Sequence, residues 1–226
     1  MPITYQYKQI FIHIPKCAGT SVEKVLDMSA TRNFYAKKRI YKMDRFSVSK
    51  DNFSDQEYEL CTAKCPQHLT FAELKKALPS DVFESFPKFS IVRNPFDRFI
   101  SELKYLTERI DSTTTIQSLL SDLDLPEIDR VKKYDGHLET ASSYLKNLSG
   151  EIDSSIKIYK YENIDECFSD LAKISPISAK PQALKSADLS SFKSFYTEEI
   201  AAKIINFYSE DFVNFDYSVD SWRTIL

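Results

Sequence analysis

The chain has 226 residues, 42% hydrophobic, 28% charged and 13% aromatic, with a formal net charge of −3. That length suits one domain able to bury about 70% of its unfolded surface, so a core needs neither disulfides nor a metal. Sixteen Phe and thirteen Tyr exclude disorder, the longest apolar runs fall far short of the ~20 residues of a membrane span, and the acidic balance gives nucleic acid no support.

Residues 8–14, Lys-Gln-Ile-Phe-Ile-His-Ile, are apolar and β-branched over a strand's length, and Pro15 ends that run. A tight loop then leads into a helix over about 20–26, with Thr20 or Ser21 as its cap and Val22, Val25 and Leu26 on its apolar side. Residues 30–88 read as an insertion region over the carboxyl edge of a sheet. Its 32–45 stretch is basic (Arg32, Lys37, Lys38, Arg39, Lys42, Arg45), and 51–59 turns acidic. Phe89 to Val92 reads as a buried strand. Asn94 and Pro95 then supply an N-cap and a first-turn proline, and Phe96, Phe99, Ile100, Leu103 and Leu106 follow at helical spacing. Residues 111–130 and 175–194 read as loop-rich. Ile156 to Tyr159 is a third strand, followed by a helix over about 164–173, and Thr197 opens a helix reaching about Phe212. Strands alternating with helices give an α/β fold with a mainly parallel sheet, as one domain over 1–226.

Glycine excludes two nucleotide-binding patterns. Only Gly19, Gly136 and Gly150 occur, so the three-glycine dinucleotide fingerprint is impossible, and no glycine precedes a lysine as the Walker A pattern requires. Cys17, Cys61, Cys65 and Cys167 read as reduced thiols, since no basic segment and apolar core open the chain as a signal peptide would. A soluble, cytoplasmic protein is the expectation. The spacing of Cys61, Cys65 and His68 hints at zinc, but no fourth ligand is evident and no metal is expected.

Two segments carry chemistry. The loop from His13 to Ser21 puts Lys16, Gly19, Thr20 and Ser21 between a strand and a helix N-terminus, where outward-pointing amides suit an anion. Gly19 would let the backbone come close; the bland alternative is a capped turn with a surface lysine. In the second segment, Arg93 sits at a strand's carboxyl end, where α/β ligands bind, and Ser101 lies about two helical turns beyond. Read alone, Arg93 fits a pairing with Asp97 as well as a phosphate contact, which its planar fork also suits.

Together the segments resemble the sulfotransferases that use 3′-phosphoadenosine 5′-phosphosulfate (PAPS). The run Phe11 to Ser21 is similar to their 5′-phosphosulfate loop, and Arg93-Asn94-Pro95-Phe96-Asp97-Arg98 with Ser101 to their 3′-phosphate strand and helix. Order and separation match the carbohydrate branch, which includes the heparan 2-O and chondroitin or dermatan enzymes; weaker similarity runs through Tyr161-Glu162-Asn163. The resemblance implies a P-loop-like three-layer sandwich. It also implies transfer of a sulfonate to an acceptor hydroxyl, on a carbohydrate or another small molecule, with adenosine 3′,5′-bisphosphate (PAP) as product. Lys16 would stabilise the leaving group, and Lys16, Cys17, Ala18, Gly19, Thr20 and Ser21 would hold the 5′-phosphosulfate. Arg93 and Ser101 would hold the 3′-phosphate, and Lys180 and Lys185 fall where a late loop closes over it. Three histidines are candidates for the general base. His13 matches a position that is mainly structural. His68, in His68-Leu69-Thr70-Phe71, resembles the His-x-x-Phe element that carries the base, while His137 fits acceptor binding or an alternate base. The glutamine usual after that second histidine is absent, with Ala141 and Ser142 in its place. The basic 32–45 run would steer an anionic glycan or form a solvated face. Two rival functions remain: a nucleotide-dependent kinase using the same loop, and a non-catalytic nucleotide-binding module.

Overall fold

A computed structural model describes residues 3–28, 49–176 and 196–223, together with the backbone of 31–33 and 38–40. In chain order it begins with strands β1 (Ile3–Thr4) and β2 (Gln9–Ile12), helix α1 (Gly19–Val25), and strands β3 (Thr31–Asn33) and β4 (Lys38–Ile40). Helices α2 (Asp55–Thr62), α3 (Phe71–Ala77) and α4 (Ser80–Ser85) lead to β5 (Lys88–Val92). Then come α5 (Pro95–Arg109), α6 (Ile116–Asp122), α7 (Glu127–Tyr134), α8 (Ala141–Leu145), β6 (Ile156–Lys160) and α9 (Ile164–Leu171). The chain closes with α10 (Glu198–Phe207) and α11 (Ser209–Asn214). Among these helices none is long and apolar enough to cross a membrane.

The sheet runs β1-β2-β5-β6. β2 pairs in parallel with β5 (Phe11 opposite Phe89) and β5 with β6 (Ser90 opposite Ile158), while β1 joins antiparallel. Every residue of the central strand β5 is buried, as expected of a parallel strand covered on both faces. The Ser90 hydroxyl on that strand is satisfied by donating to the Ile12 carbonyl at 2.7 Å. The result is a mixed α/β fold, a mostly parallel four-stranded sheet flanked by helices. Because β2 and β5 are parallel neighbours, the segments that follow them, 13–18 and 93–94, leave the sheet at the same edge.

Two apolar cores support this arrangement. One surrounds the sheet and takes in Phe11, Val22, Leu26, Phe89, Ile91 and Tyr159. The other contains no strand and joins α5 (Phe96, Phe99, Leu103) to α6 (Ile116, Leu119), α10 (Ile204) and α11 (Phe212).

Several expectations are corrected. The 111–130 stretch is not a loop: it carries α6 and α7, the first capped by Thr115, whose hydroxyl accepts from the Ser118 amide at 3.1 Å. Burial of Ile116, Leu119 and Leu120 on one face explains why that helix forms. The C-terminal helix breaks at Tyr208, giving α10 and α11, with Thr197 capping the first as expected. The stretch 49–88 contains three helices, two of them opened by capping boxes at Ser54/Glu57 and Thr70/Glu73. Its Phe53, Leu69, Phe71 and Phe83 belong to the core around the sheet. The side chains of the basic run 32–45 lie outside the described residues. So do Lys180, Lys185 and nearly all of the late loop.

Candidate active site

The loop after β2 is shaped by its main chain. Lys16 and Ala18 both adopt positive φ, 66° and 64°, the left-handed region that costs a non-glycine residue energy and collects at functional sites. Ala18 serves as N-cap of α1 in that conformation, with no side-chain cap, so neither Thr20 nor Ser21 caps the helix. Both instead lie in its first turn, Thr20 exposed and Ser21 half-buried. Alternating backbone of this kind turns amides toward one concavity, a geometry that suits anions.

Gly19 has a different reason from the one its position suggests. A Cβ there would lie 1.9 Å from Nε2 of His13. The glycine makes room for an imidazole, whose Nδ1 is 2.9 Å from Glu23 Oε1 and whose ring stacks on Phe11. His13 therefore fastens α1 to β2. Cys17 turns fully into the core, and burial pushes its thiol up to about 11 against the lowering pull of Arg98 and Arg93. Only its backbone can serve a ligand.

Arg93 follows β5 directly and is buried. One guanidinium nitrogen, Nη1, donates to the Lys16 carbonyl at 3.3 Å, and the group lies 4.2 Å over the Tyr161 ring. Its neighbour Asn94 accepts from the Phe96 amide at 3.0 Å, as the N-cap reading requires, while its own amide donates to Glu162 at 2.9 Å. Tyr161-Glu162 thus backs the Arg93 turn. Arg98, one turn into α5, is buried too. It donates from Nε to the Pro15 carbonyl at 3.1 Å and from Nη2 to the His137 carbonyl at 3.0 Å. Arg93 Nε and Arg98 Nη1 are buried without a protein hydrogen-bond partner. Asp97 is half-buried; burial raises its carboxyl above the usual range against the opposing effect of Arg93. Ser101 is half-buried on α5, one turn beyond Asp97.

The three histidines, widely separated in sequence, form a row. His13 meets His68 edge-on with 5.2 Å between ring centres, and His68 meets His137 edge-on at 4.9 Å. His68 is 2% exposed. Its Nδ1 lies 3.0 Å from the Asp135 carbonyl and 3.1 Å from the Asp135 carboxylate, so that nitrogen carries the proton. Its Nε2 is then the acceptor for the Gln67 amide at 2.9 Å. Burial holds the ring neutral, with its pKa pushed down to about 3. Burial also opposes the Asp135 charge, yet hydrogen bonds from His68 and the Cys65 amide outweigh it and hold that carboxyl at about 2. The pair is a neutral imidazole donating to a carboxylate.

His137 is more open, at 13% side-chain exposure. Its Nδ1 is 2.8 Å from Glu102 Oε2. Tyr105 packs beside it at 5.6 Å, and the Lys16 ammonium lies 4.2 Å from the centre of the same tyrosine ring. Tyr105 thus links Lys16 to His137. Donor atoms of His68, Asp135 and His137 come within 4.8 Å of one another, close enough for a metal to bridge. Both nitrogens of His68 are already engaged, however, so the cluster is assigned to hydrogen bonding. Cys61 and Cys65 are not part of it.

Glu102, Tyr105, Asp135 and Gln67 are not legible as site residues in the sequence, and Arg98 is so only as part of the Arg93-to-Arg98 motif. For α5 a signal existed: Glu102 falls three residues after Phe99 and four before Leu106, a carboxylate within an apolar stripe. Asp135 carries no comparable mark, apart from standing before Gly136. Neither the curated proteins nor the solved structures yield a match to this chain. A family model described as "Sulfotransferase family" matches residues 2–218, and that span takes in both strand–loop–helix units and the histidine row. The chain belongs to the sulfotransferase family, and is a transferase of sulfonate groups.

Proposed function

We propose that the protein transfers the sulfonate of PAPS to a hydroxyl of a carbohydrate or similar small acceptor, on a P-loop-like three-layer scaffold. The observation that carries the donor reading is the meeting of loop 13–18 with Arg93 at one sheet edge, where Arg93 Nε is buried without a hydrogen-bond partner and Arg98 Nη1 has only the Asp211 carboxylate at 4.0 Å. A cationic, amide-lined edge of this kind fits a phosphate-rich donor. The carbohydrate reading is supported by the likeness of the two motifs and of His68-Leu69-Thr70-Phe71 to the carbohydrate branch. Four free thiols are in keeping with a cytoplasmic location.

When bound, PAPS supplies the sulfonate: the acceptor oxygen bonds to sulfur as the sulfur–oxygen bond to the 5′-phosphate breaks, the acceptor proton passes to the enzyme, and PAP leaves. Lys16 offsets the charge gathering on the departing phosphate, and the amides of 17–20 hold it, that of Ser21 being spent on the Ala18 carbonyl. Arg93 and Ser101 hold the 3′-phosphate. For the base, the hydrogen bonds favour His137 over His68. The lone pair of His68 is occupied by Gln67 and its ring is sealed in the core. His137, anchored through Nδ1, keeps Nε2 for the acceptor proton, with Tyr105 linking its ring to the Lys16 ammonium. His68 and Asp135 then build the wall behind it.

A donor carrying radiolabelled sulfur, incubated with a panel of mono- and disaccharides, tests the reading. Label appearing in a saccharide supports it. Phosphate transfer from labelled ATP, with no sulfur transfer, would instead establish the kinase; binding of PAP with no turnover of any donor would leave a binding module.

A further inference from the structure

We propose that Glu102 is the positioning residue of the base: its carboxylate fixes which nitrogen of His137 carries the proton and supplies the counter-charge when the ring accepts a second one. This rests on the reading of His137 as base.

Glu102 is 1% exposed, inside the stripe that α5 turns toward the helical core. Oε2 meets His137 Nδ1 at 2.8 Å, while Oε1 is buried without a hydrogen-bond partner. A carboxylate has no proton to give, so Nδ1 must be the donor and Nε2 is left with the lone pair. A glutamine could also accept from Nδ1 and would bury no charge. The carboxylate adds a negative charge beside a ring that turns cationic during the reaction, and burial keeps that charge poorly screened.

The same face of α5 holds the histidine from two more directions. Arg98, Glu102 and Tyr105 stand at i, i+4 and i+7, a spacing that lines them up. Arg98 grips the His137 carbonyl and, on the other side, the Pro15 carbonyl of the donor loop. Tyr105 contacts both the His137 ring and the Lys16 ammonium. Other ionisable groups around this pair are His68, against the His137 ring, with Asp135 behind it, and the hydroxyls of Tyr134 and Tyr208, both of which feel the Glu102 charge. Glu102 is the one group bonded to the His137 ring itself among the described residues. In His68 the corresponding nitrogen is held by Asp135 but the second is closed by Gln67, so an anchored ring and an available nitrogen occur together at His137.

Nitrogen-15 NMR of the three histidines in the full chain tests this, with Glu102→Gln, Glu102→Asp and His137→Ala compared with wild type. In wild type the His137 signals should report a proton on Nδ1. In Glu102→Gln the His137 titration midpoint should fall by about one pH unit or more, as expected on losing an opposite charge at this range, with the His68 signals unmoved. Turnover is read without knowledge of the acceptor, as sulfate released from labelled PAPS to water. At neutral pH it should drop about tenfold or more in Glu102→Gln, its acid limb should move to lower pH, and Glu102→Asp should recover part of it. PAP affinity should stay at the wild-type value, which also shows the variant folded. An unchanged midpoint and tautomer in Glu102→Gln would overturn the positioning role. Undiminished sulfate release in His137→Ala, with the Glu102→Gln midpoint shift intact, would overturn the base reading and this proposal's purpose with it.

Discussion

On the donor side of the site, the loop after β2 works mainly through main chain: left-handed Lys16 and Ala18, the head of α1, and the Pro15 and Lys16 carbonyls gripped by Arg98 and Arg93. The histidine side is made of side chains gathered from β2's end, the turn before α3, the segment after α7, and α5. A main-chain cradle tolerates a change of side chain as long as its backbone shape survives. A side-chain cluster fails at whichever member touches the reacting atoms. The two halves should therefore answer mutation differently.

The largest expected effect is on the histidine side. His137→Ala should lower sulfate release from labelled donor about 10²–10⁴-fold, the usual worth of a general base, with PAP affinity retained. Equal losses in turnover and PAP affinity would erase the distinction between the halves. On the donor side, Gly19→Ala should act through stability. Its methyl group would displace the His13 ring and break the bond to Glu23, costing about 1–3 kcal/mol in urea unfolding. The double variant with His13→Ala should cost less than the two changes summed, since the clash is then gone.

A smaller effect concerns acid. His68 is neutral when folded, its pKa down at about 3 from an ordinary 6.5, so the unfolded chain binds a proton that the folded chain refuses. That contribution to stability is lost as pH falls from about 6.5 toward 3. Asp135, held at about 2, adds loss below about 4. Thermal unfolding of His68→Gln should show a flatter dependence on pH between 6.5 and 4 than wild type; an identical slope would mean that His68 is protonated in the fold.

The same contrast explains what could be read from sequence. The strands at 9–12, 88–92 and 156–160 and the Asn94–Pro95 helix start are local patterns of apolar runs and caps, and each formed within a residue or two of its expected place. The donor loop was legible for the same reason, since its parts lie within nine residues of one another. Its details were not: Ala18 caps the helix through a left-handed backbone and no side chain, and the demand on Gly19 comes from the His13 ring, just past β2, folding back on the loop. The Ile116/Leu119/Leu120 spacing of α6 was available, but the polar residues around it masked the period. Most opaque was the histidine row. Arg98, on the helix after β5, ties the Pro15 and His137 carbonyls together, and Asp135 holds His68, contacts between distant segments that no local pattern encodes.

The most direct test of the donor site is calorimetric binding of PAP beside ADP and AMP, repeated on Arg93→Ala. A clear preference for PAP is expected, reduced in the variant by about 10–100-fold through loss of a charged hydrogen-bonding group. Equal affinity for the three nucleotides, or a preference for PAP that survives the loss of Arg93, would contradict it.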